Sequence, residues 1–305
     1  MTFAKFVFKI IDNVYNPQQN PGKLHKSYGD TVVATKDIVF DERYPDMKLD
    51  TYVVPKEDGA KYPVIMEIHG GGFSAGDKKY RRVLSEWFAK ETGAFVVNTN
   101  YGLGQKYVFP EPAKHLVSAF NWIIDNAGKY NLDTDRILVT GDSAGGYYSA
   151  YLSVVQNSDA LQEVVGQMKG RISAAVFNCG IYDVMSALQQ KVLFNLTNGV
   201  CIDFTGVPVK KINEYPYLDK VAPVDYVDER FPKCLIVYAG QDFFCGGQHD
   251  RLSEKLTEYG VYHDMYGSTE FKDNHTFSLT WKSQAAQEAN AKIISFMKDF
   301  FAGNI

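Results

Sequence analysis

Two apolar spacings alternate along the chain, and their order predicts the architecture. Phe3, Phe6, Val7, Ile10, Ile11 and Val14 recur at helical spacing, so residues 1–35 read as an amphipathic lead-in. Strand-like runs at 37–40 and 49–54 lie among turn formers around Pro45 and residues 55–59, which predicts an antiparallel opening to a sheet. Further strands are predicted at 63–69, 95–99, 137–140, 174–179, 234–240 and 261–266. Helices are predicted at about 78–92, 111–129, 144–157, 248–259 and 281–301. Leu116, Phe120, Ile123 and Ile124 line one side of the second, and Ala285, Ala289, Ile293, Phe296 and Phe300 one side of the last. Residues 183–225 are irregular and rich in turn formers, as in an insertion over a sheet edge. Strands alternating with helices predict an α/β domain: a mostly parallel sheet with helices on both faces. No repeat, low-complexity run or linker interrupts it, so residues 1–305 read as one domain.

Composition narrows the partners. The 305 residues are 45% hydrophobic and 22% charged, an ordinary globular balance with enough chain for a large core. The formal net charge is −4 with no basic block, which argues against nucleic acid, since phosphate binding needs clustered Lys and Arg. Cys179, Cys201, Cys234 and Cys245 form no C-x-x-C pair and lie near no histidine at zinc spacing, so neither a metal nor another cofactor is expected. Free thiols suit a reducing compartment. The N-terminal apolar run is broken by Lys9 and Asp12, and no small-residue cleavage site follows it. No apolar run is long enough to span a bilayer. A soluble cytoplasmic protein is expected.

The chemistry concentrates where strands end. Residues 137–140 run into Gly141-Asp142-Ser143-Ala144-Gly145-Gly146, the G-x-S-x-G spacing of a nucleophile elbow. Such a sharp strand-to-helix turn strains the serine, and side chains two residues to either side would collide, hence Gly141 and Gly145. The helix that follows aims free N–H groups at the same spot. Residues 63–69 run into Gly70-Gly71-Gly72-Phe73, whose bare backbone can approach a substrate oxygen. In a parallel sheet the site lies at the carboxyl ends of the strands. The later strands offer Asp242, then His275, which completes the order serine, acid, histidine. In these roles His275 relays the proton of Ser143, Asp242 orients the imidazole, and the amides of Gly71, Gly72 and Ala144 receive an oxyanion. Asp183 also follows a strand, but strand order favours Asp242. Asp142 should point away from the elbow, and His263 lies at the wrong end of its strand. His249, His25 and His115 lack a matching context. Cys245 is expected to be an inert lining residue. Glu67, inside a strand, faces either a polar pocket or an ion pair.

The pairing of His69-Gly70-Gly71-Gly72-Phe73 with Gly141-Asp142-Ser143-Ala144-Gly145-Gly146 resembles the hormone-sensitive-lipase-like carboxylesterase branch of the α/β-hydrolases. The likeness runs from about residue 62 to 148 and is sparser beyond; Tyr101-x-Leu103 and Phe109-Pro110 are similar to that branch as well. It implies Ser143 as nucleophile, Asp242 as acid, His275 as base, and Gly71, Gly72 and Ala144 as oxyanion donors. It also implies a lid built from the N-terminal segment, about 1–35, and an insertion at about 184–220. The chain departs from the family at Gly102, where Arg is usual, and at His115, near a missing acidic residue. It departs again at Phe243-Phe244, for Pro-Leu, and at Thr276, where Gly is common.

The expected function is hydrolysis of short- to medium-chain carboxylic esters, with Phe73, Tyr101, Tyr147 and Tyr148 as pocket walls. An arylformamidase or amidase, or a deacetylase of sugars or natural products, would use the same machinery. A silent ligand receptor on this fold is the remaining reading, though it expects a lost triad member. The expected partner is a small ester, and a homodimer is left open.

Overall fold

The computed structural model describes residues 2–14, 28, 31–57, 59–190 and 195–305. His25, most of the lead-in beyond Val14 and residues 191–194 of the insertion lie outside the described residues.

Helix α1 (Phe3–Val14) precedes the two strands that open the sheet, β1 (Val33–Val39) and β2 (Lys48–Val53). Strands β3 (Tyr62–Ile68) and β4 (Phe95–Thr99) flank α2 (Arg82–Thr92). Then come α3 (Glu111–Asp125), α4 (Ala127–Tyr130), β5 (Leu132–Asp142), α5 (Ala144–Val155), α6 (Asp159–Val165) and β6 (Ala174–Asn178). The insertion carries α7 (Val184–Gln189) and α8 (Leu196–Thr205). The chain closes with β7 (Lys233–Ala239), α9 (Gln248–Glu258), β8 (His263–Ser268) and α10 (Gln284–Ala302).

The strands form one eight-stranded sheet in the order β1-β2-β4-β3-β5-β6-β7-β8. Strand β2 is antiparallel to both neighbours, and every pair from β4 to β8 is parallel. The antiparallel opening and parallel body follow the sequence pattern. Strand β1 is longer than expected and largely exposed, because it is an edge. Its register shifts between Thr35 and Ile38, at Asp37 with φ of 60°, a bulge of the kind that protects edges.

Central strands alternate between two cores. Val64, Met66, Ile68, Ile137 and Val139 face one layer with α3, α5 and α9. Ile65, Leu138, Val176 and Leu235 face the other, packed by Trp87 and Phe88 of α2 and Ala289, Ile293 and Met297 of α10. Burial on both faces explains the near-continuous apolar runs of these strands.

Three elements differ from the pattern. The helix expected at 78 opens as a 3-10 turn, Lys78–Arg81, because the Asp77 side chain caps Lys79. Helix α6 has seven residues, too few for a visible period, and is set by its Ser158 cap. Among its described residues the insertion carries two helices, Asp183 capping α7 and α8 ending at Gly206 with φ of 84°, and then runs irregularly through short 3-10 turns. Helix α1 packs on α8, where Ala4 lies so close to Gly199 that a Cβ there would stand 2.8 Å from the Ala4 Cβ.

The next two strands in sequence, β4 and then β5, fall on opposite sides of β3. This reversal leaves a crevice beyond the carboxyl ends of β3 and β5, where α/β sheets hold their sites.

Candidate active site

Ser143 stands between β5 and α5 with φ of 54° and ψ of −117°, a region that L-residues seldom occupy. Its neighbours explain how the turn is possible. A Cβ on Gly141 would lie 2.5 Å from the Ile68 carbonyl oxygen, and one on Gly145 would lie 1.9 Å from the same atom. Only glycine fits at either place. The Ser143 hydroxyl donates to His275 Nε2 at 2.8 Å. The opposite nitrogen, Nδ1, donates to Asp242, 2.8 Å from Oδ2 and 3.0 Å from Oδ1. Thus three residues from the loops after β5, β7 and β8 form one chain of hydrogen bonds.

The carboxylate and the imidazole fix each other's charge. Burial alone would raise the Asp242 pKa, but His275 and the amides of Phe244 and Cys245 outweigh it, so the acid stays ionised. Burial alone would lower the His275 pKa, but the Asp242 charge and hydrogen bond outweigh it, and the net shift is upward. Asn274 ties the two loops together: its Oδ1 accepts from the His275 and Phe243 amides, and its Nδ2 donates to the Gln241 carbonyl. Thr276 has φ of 54°, which explains why glycine suits that position. Sequence reasoning missed Asn274, since nothing local marks its partners.

Facing the elbow, Gly71 and Gly72 take φ of 137° and 57°. Among the described residues the Gly72 and Ala144 amides have no hydrogen-bond partner and are available to an incoming oxygen. The loop is held from two directions. Asp142 points away from the elbow: it forms a two-pronged ion pair with Arg81, 2.7 Å at each prong, and accepts from the Gly70 amide. Burial opposes that charge, but Arg81 outweighs it and keeps the Asp142 pKa low. From the other side, the Ser74 hydroxyl lies 3.0 Å from the Gly72 carbonyl and 2.6 Å from the Asp203 carboxylate on α8. The Thr2 hydroxyl donates to the same carboxylate, which ties α1 in as well.

A small cavity of about 70 Å³ opens on Ser143. Its walls are apolar: Phe8 of α1, Phe73, Val184 of α7, Val200 and Phe204 of α8, and Phe244. Phe8 packs against the loop, with ring carbons 2.2 Å from where a Gly72 Cβ would be. Of the four expected wall residues, Phe73 lines the cavity. Tyr101, Tyr147 and Tyr148 are buried in the aromatic layer behind it. Tyr101 and Tyr147 spend their hydroxyls on the carbonyls of His69 and Val221. Phe8 is not on the apolar stripe read from the lead-in; the lid that the resemblance implies, about 1–35 and 184–220, was the sequence signal covering both Phe8 and α8.

The other candidates lie elsewhere. Asp183 caps α7 and pairs with Arg251. His263 bonds Ser253 and the Val261 carbonyl, His249 stacks on Tyr238, and His115 accepts the Gly102 amide. Cys245 lines the cavity wall, its thiol pKa pushed up by burial. Glu67 is buried beside Asp142 and Arg81, and its Oε1 has no partner among the described residues. Burial, with the Asp142 charge, pushes its pKa well above the ordinary carboxylate range and favours the neutral acid. One metal-capable group occurs among the described residues: ligand atoms of Cys179, Asp242 and His275 lie within 4.8 Å of one another.

A family model described as BD-FAE matches residues 49–256. The chain is 36% identical over 117 residues to "Arylacetamide deacetylase" of Bos taurus, covering 37% of this chain and 29% of that one. It is 25% identical over 244 residues to "Probable carboxylic ester hydrolase LipM" of Mycobacterium tuberculosis, covering 79% of this chain and 55% of that one. The chain thus spans between about a third and about half of the length of these curated relatives. The crystal structure of esterase B from Lactobacillus rhamnosis superposes with a TM-score of 0.76 at 18% identity, covering 98% of this chain and 97% of that one. No helix among the described residues is long and apolar enough to cross a membrane.

Proposed function

The chain belongs to the BD-FAE family, as an α/β-hydrolase of the hormone-sensitive-lipase-like carboxylesterase branch, and from that premise we propose that it is a serine esterase for short- to medium-chain carboxylic esters. The observation that carries this reading is the unbroken chain Ser143–His275–Asp242 beside the Gly72 and Ala144 amides, which have no partner among the described residues.

The Ser143 oxygen attacks the ester carbonyl carbon while His275 Nε2 takes the hydroxyl proton. The carbonyl oxygen becomes an oxyanion, held by the amides of Ala144, Gly71 and Gly72. Each such donor is worth about 3 kcal/mol in the transition state. As the tetrahedral intermediate collapses, Nε2 returns its proton to the departing alkoxide, leaving an acyl-enzyme. Water then repeats the sequence: it gives a proton to Nε2, attacks the acyl carbon, and releases the acid and Ser143. Asp242 holds Nδ1–H throughout and stabilises the imidazolium.

The cavity supports an apolar acyl group of a few carbons, since about 70 Å³ holds on the order of five water molecules. Helices α1, α7 and α8 act as the lid. The buried free thiols suit a reducing compartment such as the cytoplasm. The experiment is a p-nitrophenyl ester series from acetyl to dodecanoyl. Parent protein should prefer acyl chains below about eight carbons, and Ser143→Ala should be inert toward all of them. Equal rates in parent and Ser143→Ala overturn the reading. A second reading, deacetylation of arylacetamides, is favoured by the Bos taurus relative. It expects p-nitroacetanilide to be cleaved at a rate comparable to p-nitrophenyl acetate.

A further inference from the structure

Cys179 directly follows β6 in the left-handed region, with φ of 50°, and is 3% exposed. Its sulfur does not sit among apolar groups alone. It accepts the Thr276 amide at 3.3 Å, one residue from the catalytic histidine, and it faces the Asp242 carboxylate. The hydrolytic cycle described above gives this thiol no task.

We propose that Cys179, Asp242 and His275 form an inhibitory site for a thiophilic divalent cation such as Zn²⁺ or Cd²⁺. The donor set is one sulfur, one carboxylate oxygen and one imidazole nitrogen, a combination zinc accepts, with water as fourth ligand. The three ligand atoms lie within 4.8 Å of one another. Ligands at zinc bond lengths stand roughly 3.3–3.7 Å apart in a tetrahedron, so a turn of the thiol and a small slide of the imidazole close the site. Thiolate and carboxylate supply two negative charges against the dication. The cation enters from the His275 side, which is 15% exposed.

Protons balance simply. The thiol gives its proton to solvent. The imidazole keeps one proton but changes where it is carried: the cation takes Nδ1, so the proton sits on Nε2. That tautomer cannot accept the Ser143 proton, and Asp242 is drawn to the cation. Inhibition therefore follows from binding if Ser143–His275 is the hydrolytic pair, whereas binding itself does not depend on that reading.

The test separates the two. Cd²⁺ is titrated into the Ser143→Ala protein, and the thiolate-to-cadmium charge-transfer band is read in the ultraviolet. One band per chain is expected. It should vanish in Ser143→Ala/Cys179→Ala and persist in Ser143→Ala/Cys245→Ala. In parallel, Zn²⁺ should inhibit ester hydrolysis by the parent, reversibly with chelator, and Cys179→Ala should be at least tenfold less sensitive relative to its own metal-free rate. A band that survives loss of Cys179 or disappears with Cys245 overturns the site, as does equal zinc sensitivity in Cys179→Ala. If the parent hydrolyses no ester, the esterase reading fails, and the band still decides the cation site.

Discussion

His275 must be neutral at the moment Ser143 attacks, and its surroundings work against that. The Asp242 charge overcomes burial and lifts the imidazole above its ordinary 6.5. The acid limb of kcat/KM should therefore fall through a midpoint above pH 6.5; a midpoint well below it would contradict the pairing. The same shift gives His275 a stabilising contribution that is full below about pH 6.5 and lost as pH rises through the folded value. Asp242 behaves oppositely: its contribution holds above the ordinary carboxylate range and is lost as pH falls through its depressed value. Asp242→Asn should cost about 10⁴ in kcat, as in comparable triads, while Asp183→Asn should stay close to parent. The reverse order would reassign the acid. Glu67 offers a residue-scale test of stability. With its pKa raised, its folded-state fit is complete below the ordinary carboxylate pKa and is eroded as pH climbs toward the raised one. Glu67→Gln keeps the shape without the proton, so its melting temperature should gain on the parent as pH rises from 5 to 9. A constant difference across that range would mean that the Glu67 pKa is not raised in the folded protein.

At the scale of elements, the cavity is a joint product of α1, α7 and α8 over the sheet crevice. Phe8 closes it against Gly72, while Thr2, Ser74 and Asp203 pin both ends of the arrangement to the loop that carries the oxyanion donors. Removing the Phe8 ring leaves the triad bonds untouched and lengthens the space for the acyl chain. Each methylene accommodated in an apolar pocket is worth about 1–3 kcal/mol. Phe8→Ala should thus raise the octanoate-to-butyrate ratio of kcat/KM by about tenfold or more. An unchanged ratio would mean that the acyl chain lies elsewhere. The elbow glycines and the three-glycine run were legible because local backbone geometry dictates them. Asp203, Asn274 and Arg81 were not, because each acts through at least one partner 33 to 201 positions away.

For the whole molecule, the parallel sheet with its antiparallel opening was legible from hydrophobic runs, since strands buried on both faces must be apolar throughout. Strand β4 falls where its run predicts, at Phe95–Thr99. Strand β8 starts two residues later than expected, because Val261 spends its amide on the Leu256 carbonyl and its carbonyl on His263. The insertion hid α7 and α8, whose buried faces are set by the cavity they cover. All eight strands serve to bring loops from β3, β5, β7 and β8 to one rim. The most direct measurement of that claim is peptide mapping by mass spectrometry after reaction with a fluorophosphonate. A single adduct on Ser143 is expected, formed at least a thousandfold more slowly in His275→Ala. An adduct on another residue, or one on Ser143 whose rate is indifferent to His275, would contradict it.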